Sequence, residues 1–296
     1  AEGEERAVVE LTHLKTLWFN TGSLCNIACK NCFMESSPKN DALVYLSTEE
    51  VKRYLDEAKK DELPVEEIGF TGGEPFMNKS LIQMITMSLS QGYRVLVLSN
   101  AMRPMHHKFK ELLHIKRLYG SKFTIRISID HYTRSKHELI RGPNTWAPML
   151  RGIHWLATHG FNLAIAGRAC WNESDEQTRA GYANLFKSIR IPIDASKKSS
   201  LVLFPEMDNS MEVPEITAHC WDILDVTPGT MMCATSRMIV KRKGDIEPSI
   251  VPCTLLPYDK KFELGYNLSE SSKTVHLNHP HCSKFCVLGG ATCNVG

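Results

Sequence analysis

Thr21-Gly22-Ser23-Leu24-Cys25-Asn26-Ile27-Ala28-Cys29-Lys30-Asn31-Cys32-Phe33 sets three cysteines within eight residues, spaced Cys-x3-Cys-x2-Cys. The run before it, Lys15-Thr16-Leu17-Trp18-Phe19-Asn20, is apolar and aromatic and reads as a buried strand feeding a loop. Three thiolates on one short loop can converge on a single metal centre. No fourth cysteine lies nearby, so a cubane held here keeps one iron without a protein ligand. An open coordination position generally marks a reactive metal site. The spacing alone also fits a structural zinc knuckle completed by a remote ligand.

Further along, Glu67-Ile68-Gly69-Phe70-Thr71-Gly72-Gly73-Glu74-Pro75 is a short apolar strand running into a Gly-Gly-Glu-Pro turn. Paired glycines allow close backbone approach to a ligand and expose N–H groups. Glu74 offers a carboxylate at a strand's C-terminal end, where open α/β folds place their ligands. Together the two stretches resemble the radical S-adenosylmethionine (SAM) superfamily. The resemblance implies that Cys25, Cys29 and Cys32 hold a [4Fe–4S] cluster whose free iron chelates the amino and carboxylate groups of SAM. It also implies that Gly72, Gly73 and Glu74 hold the methionine amino group. The superfamily usually carries an aromatic residue just before the third cysteine, where the backbone meets the adenine. This chain has Asn31 there and the aromatic Phe33 after Cys32, so the adenine contact departs from the usual pattern.

Ser47-Thr48-Glu49-Glu50 is a capping box opening a helix with Val51, Tyr54, Leu55 and Ala58 on one face. Beyond the Gly-Gly-Glu-Pro strand, the pattern predicts helices over 81–89, 106–118, 146–159 and 176–189. It predicts strands over 93–100, 123–130, 161–169 and 201–204. Such alternation argues for a parallel sheet with crossovers, and six strand–helix units fit residues 15 to 207. The superfamily's fold is a six-unit partial barrel. An α/β partial (β/α)6 barrel is therefore expected over residues 15–210, after a tail or short edge element over residues 1–14.

Barrel strands place function at their C-terminal ends. On 123–130, Ile125, Ile127 and Ile129 alternate with Arg126, Ser128 and Asp130, which share the opposite face. In the superfamily the inward face holds the cofactor, so Ser128 is the candidate for the ribose or the methionine carboxylate. The segment from Ser128 through Arg141-Gly142 is similar to one in radical SAM dehydrogenases and peptide-maturing enzymes. That similarity implies that the Arg141 guanidinium fork helps hold the carboxylate; a surface ion pair is the alternative. Asn100, at a strand end, either faces the cofactor or caps a turn. Arg168 either meets an acidic substrate group or the cofactor, or is buried in an internal ion pair.

From Met211 the rhythm stops, and 214–224 reads as one helix. Cys233 and Cys253 flank a predicted hairpin turning at Lys243-Gly244-Asp245, so both thiols can reach one point. Cys282, Cys286 and Cys293 follow in the tail. This arrangement resembles the twitch auxiliary-cluster domain, a shortened relative of the SPASM extension of radical SAM enzymes. The resemblance implies a small cysteine-rich domain over 211–296 holding a second [4Fe–4S] cluster. Its expected ligands are Cys233, Cys253, Cys282 and Cys286, with Cys293 as a possible further one. The tail spacing Cys-x3-Cys-x6-Cys departs from the usual pair of Cys-x2-Cys, and four sulfurs suit zinc equally well. Cys170 and Cys220 stand alone and read as small buried hydrophobes.

The chain has 296 residues, 43% hydrophobic and 23% charged, as expected of a soluble globular protein of one large or two modest domains. A net charge of +2 argues against nucleic acid or an anionic membrane as partner. No apolar run reaches the roughly 18 residues of a membrane span. The charged start Ala1-Glu2-Gly3-Glu4-Glu5-Arg6 lacks the core of a signal peptide, so the ten cysteines read as metal ligands in a reducing, cytoplasmic setting.

The expected function is reductive SAM cleavage to a 5′-deoxyadenosyl radical that modifies, by oxidation, a small-molecule substrate. An external low-potential donor of flavodoxin or ferredoxin type supplies the electron. A maturase of a ribosomally made peptide is the rival; with so few residues before the first strand, no leader-binding domain is expected in front, and a separate binding protein could supply that function. A non-enzymatic zinc or iron–sulfur scaffold is a third reading, against which the Gly-Gly-Glu-Pro turn counts.

Overall fold

Trp18 shows how the strands divide their faces. Leu17 and Phe19 enter one apolar core while Trp18 between them enters another. Period-2 alternation with both sets apolar is what a parallel strand covered on both sides requires. The computed structural model, which describes residues 3–206 and 212–290, builds an eight-stranded sheet on this pattern. After the short β1 (Val8–Val9) come β2 (Thr16–Asn20), β3 (Glu67–Thr71), β4 (Arg94–Ser99), β5 (Phe123–Ser128), β6 (Asn162–Arg168) and β7 (Leu201–Phe204). β8 (Ser236–Val240), β9 (Ser249–Val251) and β10 (Val275–His276) follow. The sheet order is β7-β6-β5-β4-β3-β2-β8-β9, with every neighbouring pair parallel except β8–β9.

The connecting helices are α1 (Thr48–Lys60), α2 (Leu81–Ser90), α3 (Arg103–His106), α4 (Phe109–Tyr119), α5 (Arg134–Arg141), α6 (Trp146–Thr158) and α7 (Asp175–Ser188). The capping box at α1 forms, with Ser47 accepting from the Glu50 N–H and Glu50 accepting from the Ser47 N–H. Val51, Tyr54 and Leu55 of α1, Met84 and Ile85 of α2, and Ile153 and Leu156 of α6 pack into the core shared with Leu17, Ile68, Val95 and Ile125. The opposite core joins Trp18 and Leu96 to Met238, Val240, Val251 and Phe285 of the C-terminal third. Gly69 is required beneath it, because a Cβ there would stand 2.3 Å from the Trp18 ring.

Three expectations change, and one open alternative is decided. The predicted 106–118 helix is two helices, α3 and α4, with His107 and Lys108 between them. α5 was passed over. The 214–224 helix shrinks to α8 (Cys220–Leu224). The N-terminal segment takes the edge-element form: Val8–Val9 pairs antiparallel with β10, and Ala7 and Val9 are buried. The predicted hairpin forms as β8–β9, and β8 lies parallel against β2, extending the main sheet.

Candidate active site

The site lies at the C-terminal ends of the parallel strands. Leaving β2, the cysteine loop crosses the end of β3: the Thr21 N–H donates to the Thr71 carbonyl at 2.8 Å, the Gly73 N–H to Gly22 at 2.8 Å, and the Glu74 N–H to Leu24 at 3.1 Å. A Cβ on Gly73 would stand 2.2 Å from the Leu24 carbonyl oxygen; Gly72, at φ +141°, would meet the Gly22 carbonyl at 2.5 Å. The glycine pair therefore admits the chain's own loop. The Gly73 N–H, expected to be open to a ligand, is taken up in holding it, as is the Glu74 N–H.

One cavity collects most of the predicted residues. Cys25, Cys29, Cys32 and Phe33 form one wall. Gly72, Gly73 and Asn100 form a second, and Ser128, Arg141 and Arg168 a third. Burial pushes the Cys25 thiol up to about 12 and raises that of Cys29. Such thiols carry little charge until a metal takes their protons, and that donor set suits an iron–sulfur cluster.

Two predicted residues stand behind the wall. Asn31, in the left-handed region at φ 51°, donates from Nδ2 to Glu206 at 3.0 Å. Glu74 is buried and turned inward, where its carboxylate accepts from the Asn100 N–H at 2.8 Å, the Ser99 hydroxyl at 3.0 Å and the Phe76 N–H at 3.2 Å. Burial raises its pKa to about 7, and these donors offset part of that effect.

Arg168 combines the alternatives offered for it, and the ion pair of Arg141 is a largely buried one rather than the surface pair offered as its alternative. Both line the cavity and both reach Asp130: Arg141 Nε at 2.8 Å and Arg168 Nε at 3.5 Å. Arg168 also meets Glu206 at 3.3 Å. Burial opposes ionisation of Asp130, but the two guanidiniums outweigh it and hold its pKa below the ordinary value. Arg126, buried on β5, faces the same cavity, as the alternation on that strand implies. Sequence reasoning missed the aromatic side of the cavity, Phe204 with Phe285, whose rings lie 4.9 Å apart. Phe204 ends β7, so the strand-end rule could have found it; nothing in the sequence joined Phe285 to this cavity.

A second, smaller cavity is lined by Cys233, Cys253, Cys282 and Cys286 among apolar side chains. Cys293 lies outside the described residues. Phe285, between two of these cysteines on the π-helical turn Cys282–Val287, reaches the first cavity, so the two cavities are neighbours. Burial pushes Cys233 up to about 12. The buried Arg237 donates to the carbonyls of Cys233, Ser236, Ser271 and Lys273, and among the described residues it has no carboxylate partner. Burial lowers its pKa to about 10 while the Cys233 and Cys253 thiols act to raise it. A buried cation near the Cys233 and Cys253 thiols fits an anionic thiolate–metal centre. Among the described residues no group of three or more His, Cys, Asp or Glu side chains stands in a metal-coordinating arrangement, and no helix is long and apolar enough to cross a membrane. Cys170 and Cys220 are half-buried rather than core residues.

A family model described as the radical SAM superfamily matches residues 19–177. The chain is 30% identical over 163 residues to the antilisterial bacteriocin subtilosin biosynthesis protein AlbA of Bacillus subtilis, covering 54% of this chain and 32% of that protein. It is 29% identical over 148 residues to the AdoMet-dependent heme synthase of Nitratidesulfovibrio vulgaris, covering 48% and 36%. The chain thus spans about a third of the length of these two curated relatives. Among solved structures it is similar in fold to anSMEcpe with bound AdoMet, at a TM-score of 0.62 and 15% identity over 88% of this chain and 80% of that one. Streptococcus suis SuiB bound to S-adenosylmethionine gives a TM-score of 0.59 at 12% identity, covering 82% and 61%.

Proposed function

The chain belongs to the radical SAM superfamily, and from that premise we propose that it cleaves SAM reductively and oxidises a small-molecule substrate held in the cavity beside Phe204 and Phe285. The observation that carries this reading is the convergence of the three loop thiols, the glycine turn, Asn100, Ser128 and Arg141 on one cavity at the strand ends. We read β2 to β7 as the superfamily's partial (β/α)6 barrel, within 15–210, and 211–296 as the auxiliary region.

When bound, a [4Fe–4S] cluster and SAM supply a 5′-deoxyadenosyl radical on one-electron reduction. Cys25, Cys29 and Cys32 hold the cluster; Ser128 and Arg141 take the methionine carboxylate, and Asp130 fixes the Arg141 fork. Glu74 serves as a positioning residue, because it ties the end of β4 to the glycine turn and so places Asn100. Phe33, Phe204 and Phe285 exclude water from the space where a substrate C–H must meet a reactive carbon. Asn31 supports the loop through Glu206, leaving Phe33 for the adenine. Cys233, Cys253, Cys282 and Cys286 would hold a second metal centre, which would supply an electron acceptor for the oxidation. The similarity to AlbA, named for bacteriocin biosynthesis, favours a peptide substrate as the second reading.

The test is anaerobic reconstitution with iron and sulfide, chemical reduction and incubation with SAM. The wild type should form 5′-deoxyadenosine, and Cys25→Ala should form none while losing roughly four irons. Equal amounts from both proteins would overturn the reading.

A further inference from the structure

A second cleft adjoins the cysteine loop. It is lined by Asn26, by the buried apolar Phe76 and Met102, and by Arg103, Lys108 and Arg151. Arg103 and Arg151 are exposed, His106 and His107 also line the cleft, and none of its lining residues is acidic. The chain as a whole carries only +2, yet residues 103–117 hold Arg103, Lys108, Lys110, Lys116 and Arg117 against the single acid Glu111. The cationic field is therefore local. Asn26 Oδ1 accepts from Asn100 Nδ2 at 2.9 Å, and the Cys25 sulfur lies 3.9 Å from each of those two atoms. One layer of side chain thus separates the cleft from the thiol. The aromatic side of the first cavity, by contrast, is covered by Phe285 of the C-terminal segment.

We propose that this cleft is the docking surface for a small acidic one-electron carrier protein, which delivers its electron through the Asn26 wall to the Cys25, Cys29 and Cys32 site. This rests on the SAM-cleaving reading. An apolar floor with a cationic margin suits a transient partner of opposite charge, attracted over a distance and released after transfer. The carrier loses one electron. The SAM sulfonium gains it, the S–C5′ bond breaks, and neutral methionine and the 5′-deoxyadenosyl radical result, with no proton exchanged. Entry of the electron beside Asn26 leaves the substrate side closed during reduction.

Reduced flavodoxin serves as the acidic probe and titanium(III) citrate as a small donor needing no docking surface. The reconstituted full chain is compared with R103E/R151E, two exposed positions outside the SAM cavity. Flavodoxin binding to the wild type, followed by its flavin fluorescence, should weaken steeply as salt rises. In the double variant, binding and flavodoxin-driven 5′-deoxyadenosine formation should each fall at least tenfold, while the titanium-driven rate stays within twofold. Binding and flavodoxin-driven turnover both within twofold of wild type would overturn the proposal. A parallel loss with both donors would also overturn it, by assigning the arginines to support of the cysteine loop. Failure of the wild type to cleave SAM with titanium citrate would count instead against the SAM-cleaving reading, and the binding measurement would still decide the docking surface.

Discussion

The Glu74 carboxylate faces the protein rather than the cavity. Its partners are the N–H groups of Phe76 and Asn100 and the Ser99 hydroxyl. Charge-assisted hydrogen bonds of this kind contribute on the order of 1.5–3 kcal/mol. Glu74→Gln turns one acceptor oxygen into a donor that meets other donors, so SAM affinity should fall about ten- to a hundredfold with cluster content unchanged. The route of the effect is separable. If Glu74 acts through Asn100, the losses of SAM affinity in Glu74→Gln and Asn100→Ala should overlap in the double variant. Additive losses would place the carboxylate directly on the cofactor. The sequence identified this residue through its motif, but the direction of a side chain at a strand end depends on which donors the neighbouring strand brings, and those came from β4.

Helix α5 is the element the sequence concealed. Arg134–Arg141 is strongly charged, and only His137 and Ile140 of its eight residues are buried, too few to display a helical period. His137 packs edge-on against Trp146 at 5.2 Å, and neither of its ring nitrogens has a hydrogen-bond partner among the described residues. Burial, reinforced by the Arg141 charge, lowers its pKa to about 4, while Asp130 acts the other way. The unfolded chain binds the proton more tightly, so the stabilisation is complete above pH about 6.5 and is lost as pH falls towards 4. Between pH 7 and pH 5 the wild type should lose about 2 kcal/mol that His137→Gln does not lose. Urea unfolding at the two pH values checks this; identical losses in both proteins would show that His137 titrates normally. Since α5 ends at Arg141, its loosening below pH 5 should also weaken SAM binding.

For the whole molecule, the decisive feature is β8. By lying against β2 with Met238 and Val240 in the core around Trp18, it ties the C-terminal third into the main sheet. Beyond β9, among the described residues, only β10 is held by strand pairing, with β1; the segments around it rest on short turns and the cysteine-lined cavity. Removing metal from the reconstituted protein should therefore raise amide exchange at least about tenfold over residues 253–264 and 277–288, while Ser236–Val240 stays protected. Exchange rising equally in β8 would mean that the C-terminal third opens as one independent unit. Unchanged exchange everywhere would mean that the four thiols hold no metal that matters to the fold.

The sequence by itself determined the six strands from β2 to β7, the family, and the division of seven cysteines into the two groups that line the two cavities. Each of these is written in local signals: alternation of apolar residues, caps, and thiol spacing, which neighbours in the chain impose on one another. Only the tertiary structure decided that the glycine pair accommodates Gly22 and Leu24, that Glu74 looks inward, and that Phe285 reaches the first cavity from a turn bearing two cysteines of the second. These are contacts between segments far apart in the chain. Their partners are chosen by how the cysteine loop and β8 pack against the strand ends, which no local pattern of residues encodes.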